Sequence, residues 1–325
     1  MNWIYGVLGA LLMIVTVVDF IYTTLSSNGS GKITSWFNSW MGHFLVPPSD
    51  WMRVWLGAIH LVYTMLVWIS LLLVAGFLVY MTHEDWVVNS STKVAATLPQ
   101  RAYVTAFVFS TLGTGDYVPG TNFSRYFTAF YSILGFGVLT TAITYIINVM
   151  TAANNKKAFA AYVSSMGHSP MALYDYFTTS DDGSLFADRI DDLIQLLDVY
   201  TNNHLCYPIV HYFISDKSHF SASLQLASLH EATYALRIRY RDEAVMMAHL
   251  KRVDYVIERF LKIVRTPESF QRDEEVELLQ LRNRWSGRVP VLATSHSEVS
   301  DNKRRLGALL RQFGYDWEKV YVPQD

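Results

Sequence analysis

Phe107-Val-Phe-Ser-Thr-Leu-Gly-Thr-Gly-Asp-Tyr-Val-Pro119 decides how this chain folds. The stretch lies between two long apolar segments, and it is too rich in glycine and threonine for an ordinary turn. Gly113 and Gly115 bracket one residue, so the backbone there can alternate between negative and positive φ. Alternation turns successive carbonyl oxygens toward one side. Four copies around an axis would stack rings of oxygens able to replace the hydration shell of an ion. Thr111 adds a hydroxyl to the innermost ring, and Asp116 places a carboxylate at the outer mouth.

The flanks suit such a loop. Trp51 to Met81 is an apolar run of membrane length, followed by His83-Glu-Asp85 and a linker from Val87 to Leu98. Pro99 opens the next helix at a position where a missing N–H costs nothing. Gln100 to Phe109 is too short to cross a bilayer core of about 30 Å. It is expected as a re-entrant pore helix whose C-terminal dipole favours a cation. Phe123 to Ala153 is the inner helix. Gly135 and Gly137 in its middle either permit bending at a gate or allow close packing.

The string Thr111-Leu-Gly-Thr-Gly-Asp116 resembles the T-V-G-Y-G-D signature of potassium channels and other tetrameric pore-loop cation channels. The resemblance covers about Trp51 to Ala153 and runs without a gap through Pro119, Arg125 and Gly135. It implies a passive cation channel in which the carbonyls of Thr111, Leu112, Gly113, Thr114 and Gly115 bind the ion. Asp116 then marks the outer mouth. One chain supplies one pore loop, so a homotetramer in a lipid bilayer follows. Two positions depart from the family: Thr114 replaces the filter aromatic, and Leu112 its valine. Backbone carbonyls survive both changes, but the aromatic holds the ring diameter and threonine is too short to copy it. Potassium is the expected permeant ion, and a non-selective monovalent filter that also passes sodium is the alternative. A gapless comparison turns Phe136, Leu139, Ile143 and Ile147 toward the axis, as an apolar cavity that gates by dewetting. A competing polar stripe runs through Gly137, Thr141, Thr144, Asn148 and Thr151.

Composition agrees with a membrane protein. Of 325 residues, 51% are apolar, high for a soluble chain. Up to Ala152 the only basic residues are Lys32, Arg53, Lys93, Arg101 and Arg125, and the only acids Asp19, Asp50, Glu84, Asp85 and Asp116. A net charge of −2 gives no footprint for nucleic acid. The lone Cys206 excludes an intrachain disulfide framework. No Arg-rich span exists to sense voltage.

Trp3 to Leu25 is a further apolar run, expected as a retained transmembrane helix. Asp19 inside it is a functional candidate by default, or a polar group satisfied by a neighbouring helix. After a Ser/Gly/Asn loop, Ile33, Trp36, Phe37, Trp40, Met41 and Phe44 share one face, as in an interfacial slide helix. Pro47-Pro48 ends it. The expected domains are residues 1–50, an N-terminal span and slide helix; 51–155, the pore; and 156–325, a helical cytoplasmic domain. A pore loop facing outside puts the chain beyond Lys156-Lys157 in the cytoplasm of a plasma membrane, with prokaryotic economy.

The last part reads as helices over Ser184–Tyr200, Phe220–Arg239, Glu243–Val264, Glu274–Trp285 and Asn302–Phe313, so the whole is an all-α membrane protein. No nucleotide-binding glycine motif follows a strand. His204, Cys206, His211, His219 and His230 match no standard metal spacing and are expected to pack or cap. Asp181-Asp-Gly183 lacks the other ligands of a calcium loop. No enzyme chemistry, cofactor or resident metal is expected, and the regulatory ligand is not written in the sequence. From another class, the chain could be a non-conducting membrane anchor or sensor with its helical part at work.

Overall fold

The computed structural model describes residues 2–44, 50–180, 183–264 and 298–321. Helices dominate it. The chain divides into two units, Met1–Val46 with Ala58–Met150, and Pro47–Gly57 with Thr151–Asp325. Three helices are long and apolar enough to cross a membrane: α1 (Trp3–Leu25), α3 (Asp50–Tyr80) and α5 (Asn122–Met166).

In the first unit, α1 lies directly on α3. A Cβ added at Gly9 would stand 2.6 Å from the Ala75 carbonyl oxygen, so only a glycine lets the two backbones approach this closely. Below that crossing, Asp19 is buried and its carboxylate faces the start of α2 (Lys32–Phe44). The Ile33 N–H donates to Asp19 Oδ1 at 2.8 Å, and the Thr34 N–H and hydroxyl also donate to the carboxylate. Trp68 of α3 adds its indole N–H at 3.3 Å. The buried acid of α1 therefore caps α2, accepting from N–H groups that would otherwise be orphaned. Further round α3, the Tyr131 hydroxyl donates to Leu72 O at 3.0 Å, and Gly76 makes room for the Tyr131 ring.

The segment expected as a linker after α3 contains β1 (Val87–Asn89), which pairs antiparallel with β2 (Tyr117–Pro119) in the register Val88↔Val118. Between them, α4 (Leu98–Phe109) starts with Pro99 in its first turn, and the Gln100 side chain accepts from the Thr97 N–H at 2.8 Å. Arg101 is buried and donates to the carbonyls of Ala96, Tyr80, His83 and Glu84. This pins the start of α4 to the end of α3.

α5 does not stop at Ala153. It is one helix of 45 residues, about 67 Å, more than twice the hydrocarbon thickness. Its apolar spacing resumes after Lys156-Lys157 with Phe159, Ala160, Val163 and Met166, all in the core of the second unit. That core is completed by α6 (Pro170–Phe177), α7 (Ser184–Cys206), α8 (Ala222–Arg239), α9 (Ala244–Ile263), α10 (Glu298–Gln312) and α11 (Trp317–Tyr321). α6 is an addition to the expected set. α9 buries one face, from Met246 through Leu250, Val253 and Ile257 to Leu261, and leaves Val245 exposed. The helix expected over Glu274–Trp285 lies outside the described residues, as do Pro47-Pro48 and Asp181-Asp182.

α8 is buried on every side from Ala222 to Thr233, so its polar groups need internal partners. Glu231 finds them. Lys303 Nζ lies 2.7 Å from its Oε1, and the Tyr321 hydroxyl donates to Oε2 at 2.6 Å. Burial pushes the Glu231 carboxyl up, but the Lys303 ammonium and His230 outweigh it and hold the group well below the usual carboxylate range. The ion pair staples α10 and α11 to the central helix.

Candidate ion pathway

The path is built from the C-terminus of α4 outward. Ser110 caps the helix; the Thr111 N–H donates to Val108 O at 3.1 Å and the Leu112 N–H to Phe107 O at 2.9 Å. These two bonds form a Schellman motif, which demands a left-handed residue just past the cap. Thr111 supplies it, with φ +60°. A β-branched residue rarely adopts that conformation, and holding it costs on the order of 1–3 kcal/mol.

The alternation then continues. Gly113 has φ +59° and Gly115 φ +80°, whereas Leu112 and Thr114 between them keep negative φ. Left-handed residues at 111, 113 and 115 flip every second peptide. No heavy atom would lie within 4 Å of a Cβ at either glycine, so conformation alone selects glycine there. In the isolated chain the segment from Ser110 to Asp116 is exposed, with Leu112 at 67%. Among the described residues, nothing packs over it.

Side-chain bracing comes from an unanticipated quarter. Tyr103 on the outer half of α4 donates its hydroxyl to Thr114 Oγ1 at 3.1 Å, and the Thr114 hydroxyl donates to Asp116 Oδ1 at 2.7 Å. Tyr103 in turn packs edge-on against Phe107, with ring centroids 5.2 Å apart. An aromatic of α4 thus reaches out to Thr114 in the Gly-rich loop. The signal was in the sequence as Tyr103 and Phe107 at i and i+4, but only the loop's path shows which residue the hydroxyl meets. β2 carries the loop away, and the Ser90 N–H donates to Asp116 O at 2.9 Å.

The inner helix passes close beneath. A Cβ at Gly135 would stand 2.1 Å from Phe109 O, so this glycine admits the end of the pore helix. Gly137, two residues on, faces open space. Along α5, Val138, Ala142, Tyr145 and Val149 are buried, while Phe136, Leu139, Ile143 and Ile147 are exposed, the last two at 60% each. In the competing stripe, Gly137, Thr144 and Thr151 are also exposed, and Thr141 and Asn148 are half-buried. The apolar stripe is thus the more exposed of the two.

The histidines sit elsewhere, in the second unit. His204 Nε2 is 3.3 Å from His211 Nδ1, and burial, with the Lys156 ammonium, pushes His204 down to about 4, so its ring is neutral. His230 lies beside Glu231. Among the described residues no three His, Cys, Asp or Glu side chains converge as metal ligands.

Three helices long and apolar enough to cross a membrane, with a short helix and a strained Gly-rich loop between the last two, define a membrane protein. Residues 67–152 match the family described as ion channel. The uncharacterized membrane protein YdjJ of Bacillus subtilis is 29% identical over 317 residues, covering 93% of this chain and 90% of its own length. The likeness therefore extends through the second unit as well as the pore. No solved structure matches the chain.

Proposed function

We propose that the protein is a homotetrameric cation channel of the plasma membrane, selective for potassium, with the carbonyls of Thr111 to Gly115 as its ion sites. The observation that carries this reading is the run of left-handed residues at Thr111, Gly113 and Gly115, with ordinary backbone between them. Such a run aims consecutive peptide oxygens to one side, where copies from four chains can stand in for water. The dipole of α4 ends at the same place and favours a cation. The exposed loop and the exposed side of α5 supply the surfaces that subunits and a water-filled path require. Ile143 and Ile147 then form the apolar constriction below the filter, and the C-terminal unit faces the cytoplasm, where it aids assembly or biases the gate.

A non-selective monovalent channel is the second reading, favoured by Thr114 in place of the filter aromatic. The Tyr103–Thr114–Asp116 relay weighs against it, because it braces the loop from the side where the aromatic would pack.

Flux into liposomes tests the proposal. The purified protein is expected to take up potassium and exclude sodium, and a Gly113→Ala variant is expected to lose uptake while still inserting. Equal uptake of both ions supports the second reading. Normal conduction by Gly113→Ala contradicts the assignment of the filter.

A further inference from the structure

Within the second unit, a shallow cleft open to solvent lies between the continuation of α5 and the start of α8. Lys156, Lys157, Ser215, Ser221 and Ser223 contribute polar groups to it, and Phe213 and Phe313 form apolar walls. None of its lining residues is acidic.

Lys156 is only 6% exposed. Its Nζ donates to the carbonyls of Val210 at 3.2 Å and His211 at 3.3 Å, and lies 5.2 Å over the Phe313 ring. An ammonium has three N–H bonds, so one is left over. Among the described residues no carboxylate pairs with it. A buried cation is costly unless an anion meets it. Ser221 is a second sign. It stands at the N-cap of α8 but makes no side-chain cap, and its hydroxyl sits 3.2 Å from Ser223 Oγ instead. The first N–H groups of an 18-residue helix are therefore left to another acceptor.

We propose that this cleft binds a small oxyanion, a phosphate group, held by the Lys156 ammonium, the Ser221 and Ser223 hydroxyls and the first N–H groups of α8, with Lys157 at the rim. Its place on the continuation of the inner helix makes it a means of biasing α5.

Thermal unfolding of the full chain in detergent tests this without reference to conduction. Inorganic phosphate is titrated against sodium chloride at matched ionic strength. Phosphate is expected to raise the midpoint saturably, and the Ser221→Ala/Ser223→Ala double variant to weaken its apparent affinity about two- to tenfold. Lys156→Met is expected to fold with a midpoint no lower than wild type in chloride, since it removes an uncompensated buried charge, and to abolish the phosphate response. An equal rise in wild type and both variants would overturn the proposal, because it reports only the general exclusion of phosphate from protein surfaces. So would the absence of any rise, unless bilayers containing phosphatidic acid stabilise wild type and not Lys156→Met. That last result keeps the site and names a lipid headgroup as the source of the phosphate.

Discussion

Thr114 puts a hydroxyl where the filters it resembles carry an aromatic ring, and the hydroxyl is engaged on both sides. Tyr103 donates to it from the pore helix, and it donates to Asp116 at the mouth. Removing one such bond is worth about 0.5–1.5 kcal/mol, enough to let the loop widen without unfolding the helix behind it. Tyr103→Phe is therefore expected to lower the potassium-to-sodium permeability ratio about two- to tenfold while leaving the yield of assembled protein unchanged. Bi-ionic flux measures both. An unchanged ratio would show that the relay does not set the width of the path. Asp19 makes a contrasting case. Its carboxylate is fully occupied in capping α2 and meeting Trp68, so Asp19→Ala is expected to lower the unfolding midpoint, at a cost of about 2 kcal/mol or more. Ion selectivity is expected to stay as it is. A shifted permeability ratio with an unchanged midpoint would instead place Asp19 in the conduction machinery.

Among the elements, the long helices were readable because their apolar spacing persists for many turns, and α4 because Pro99 and the glycines bracket it. The left-handed alternation was readable at Gly113 and Gly115, where residue type limits the backbone. It was not readable at Thr111, whose positive φ comes from the Schellman motif rather than from its own preference. β1 and β2 are three residues each, too short for a period of two to stand out. The continuation of α5 was hidden by Lys156-Lys157, which look like a boundary but sit on an unbroken helix. Tertiary pairings such as Asp19 with α2 and Glu231 with Lys303 leave no local trace at all. The last of these makes a prediction for the second unit. Lys303→Met leaves a buried carboxylate uncompensated and is expected to cost about 3–5 kcal/mol. Adding Glu231→Gln is expected to restore part of the loss, because the charge that needed compensation is gone. A double variant as unstable as the sum of the singles would show that the two residues act independently.

At the scale of the whole molecule, one chain leaves its Gly-rich loop and one side of α5 exposed. The proposed tetramer would account for both: the loops would converge on its axis, and the exposed side of α5 would be shared between neighbouring subunits and the water path. The reversal potential across a planar bilayer, with potassium on one side and sodium on the other, tests the pathway directly. It is measured on protein whose native mass has first been established as four chains. The account predicts current through the Thr111–Gly115 path that reverses far toward the potassium equilibrium potential. A reversal near zero at equal concentrations would contradict selectivity, and a silent tetramer would contradict the path itself.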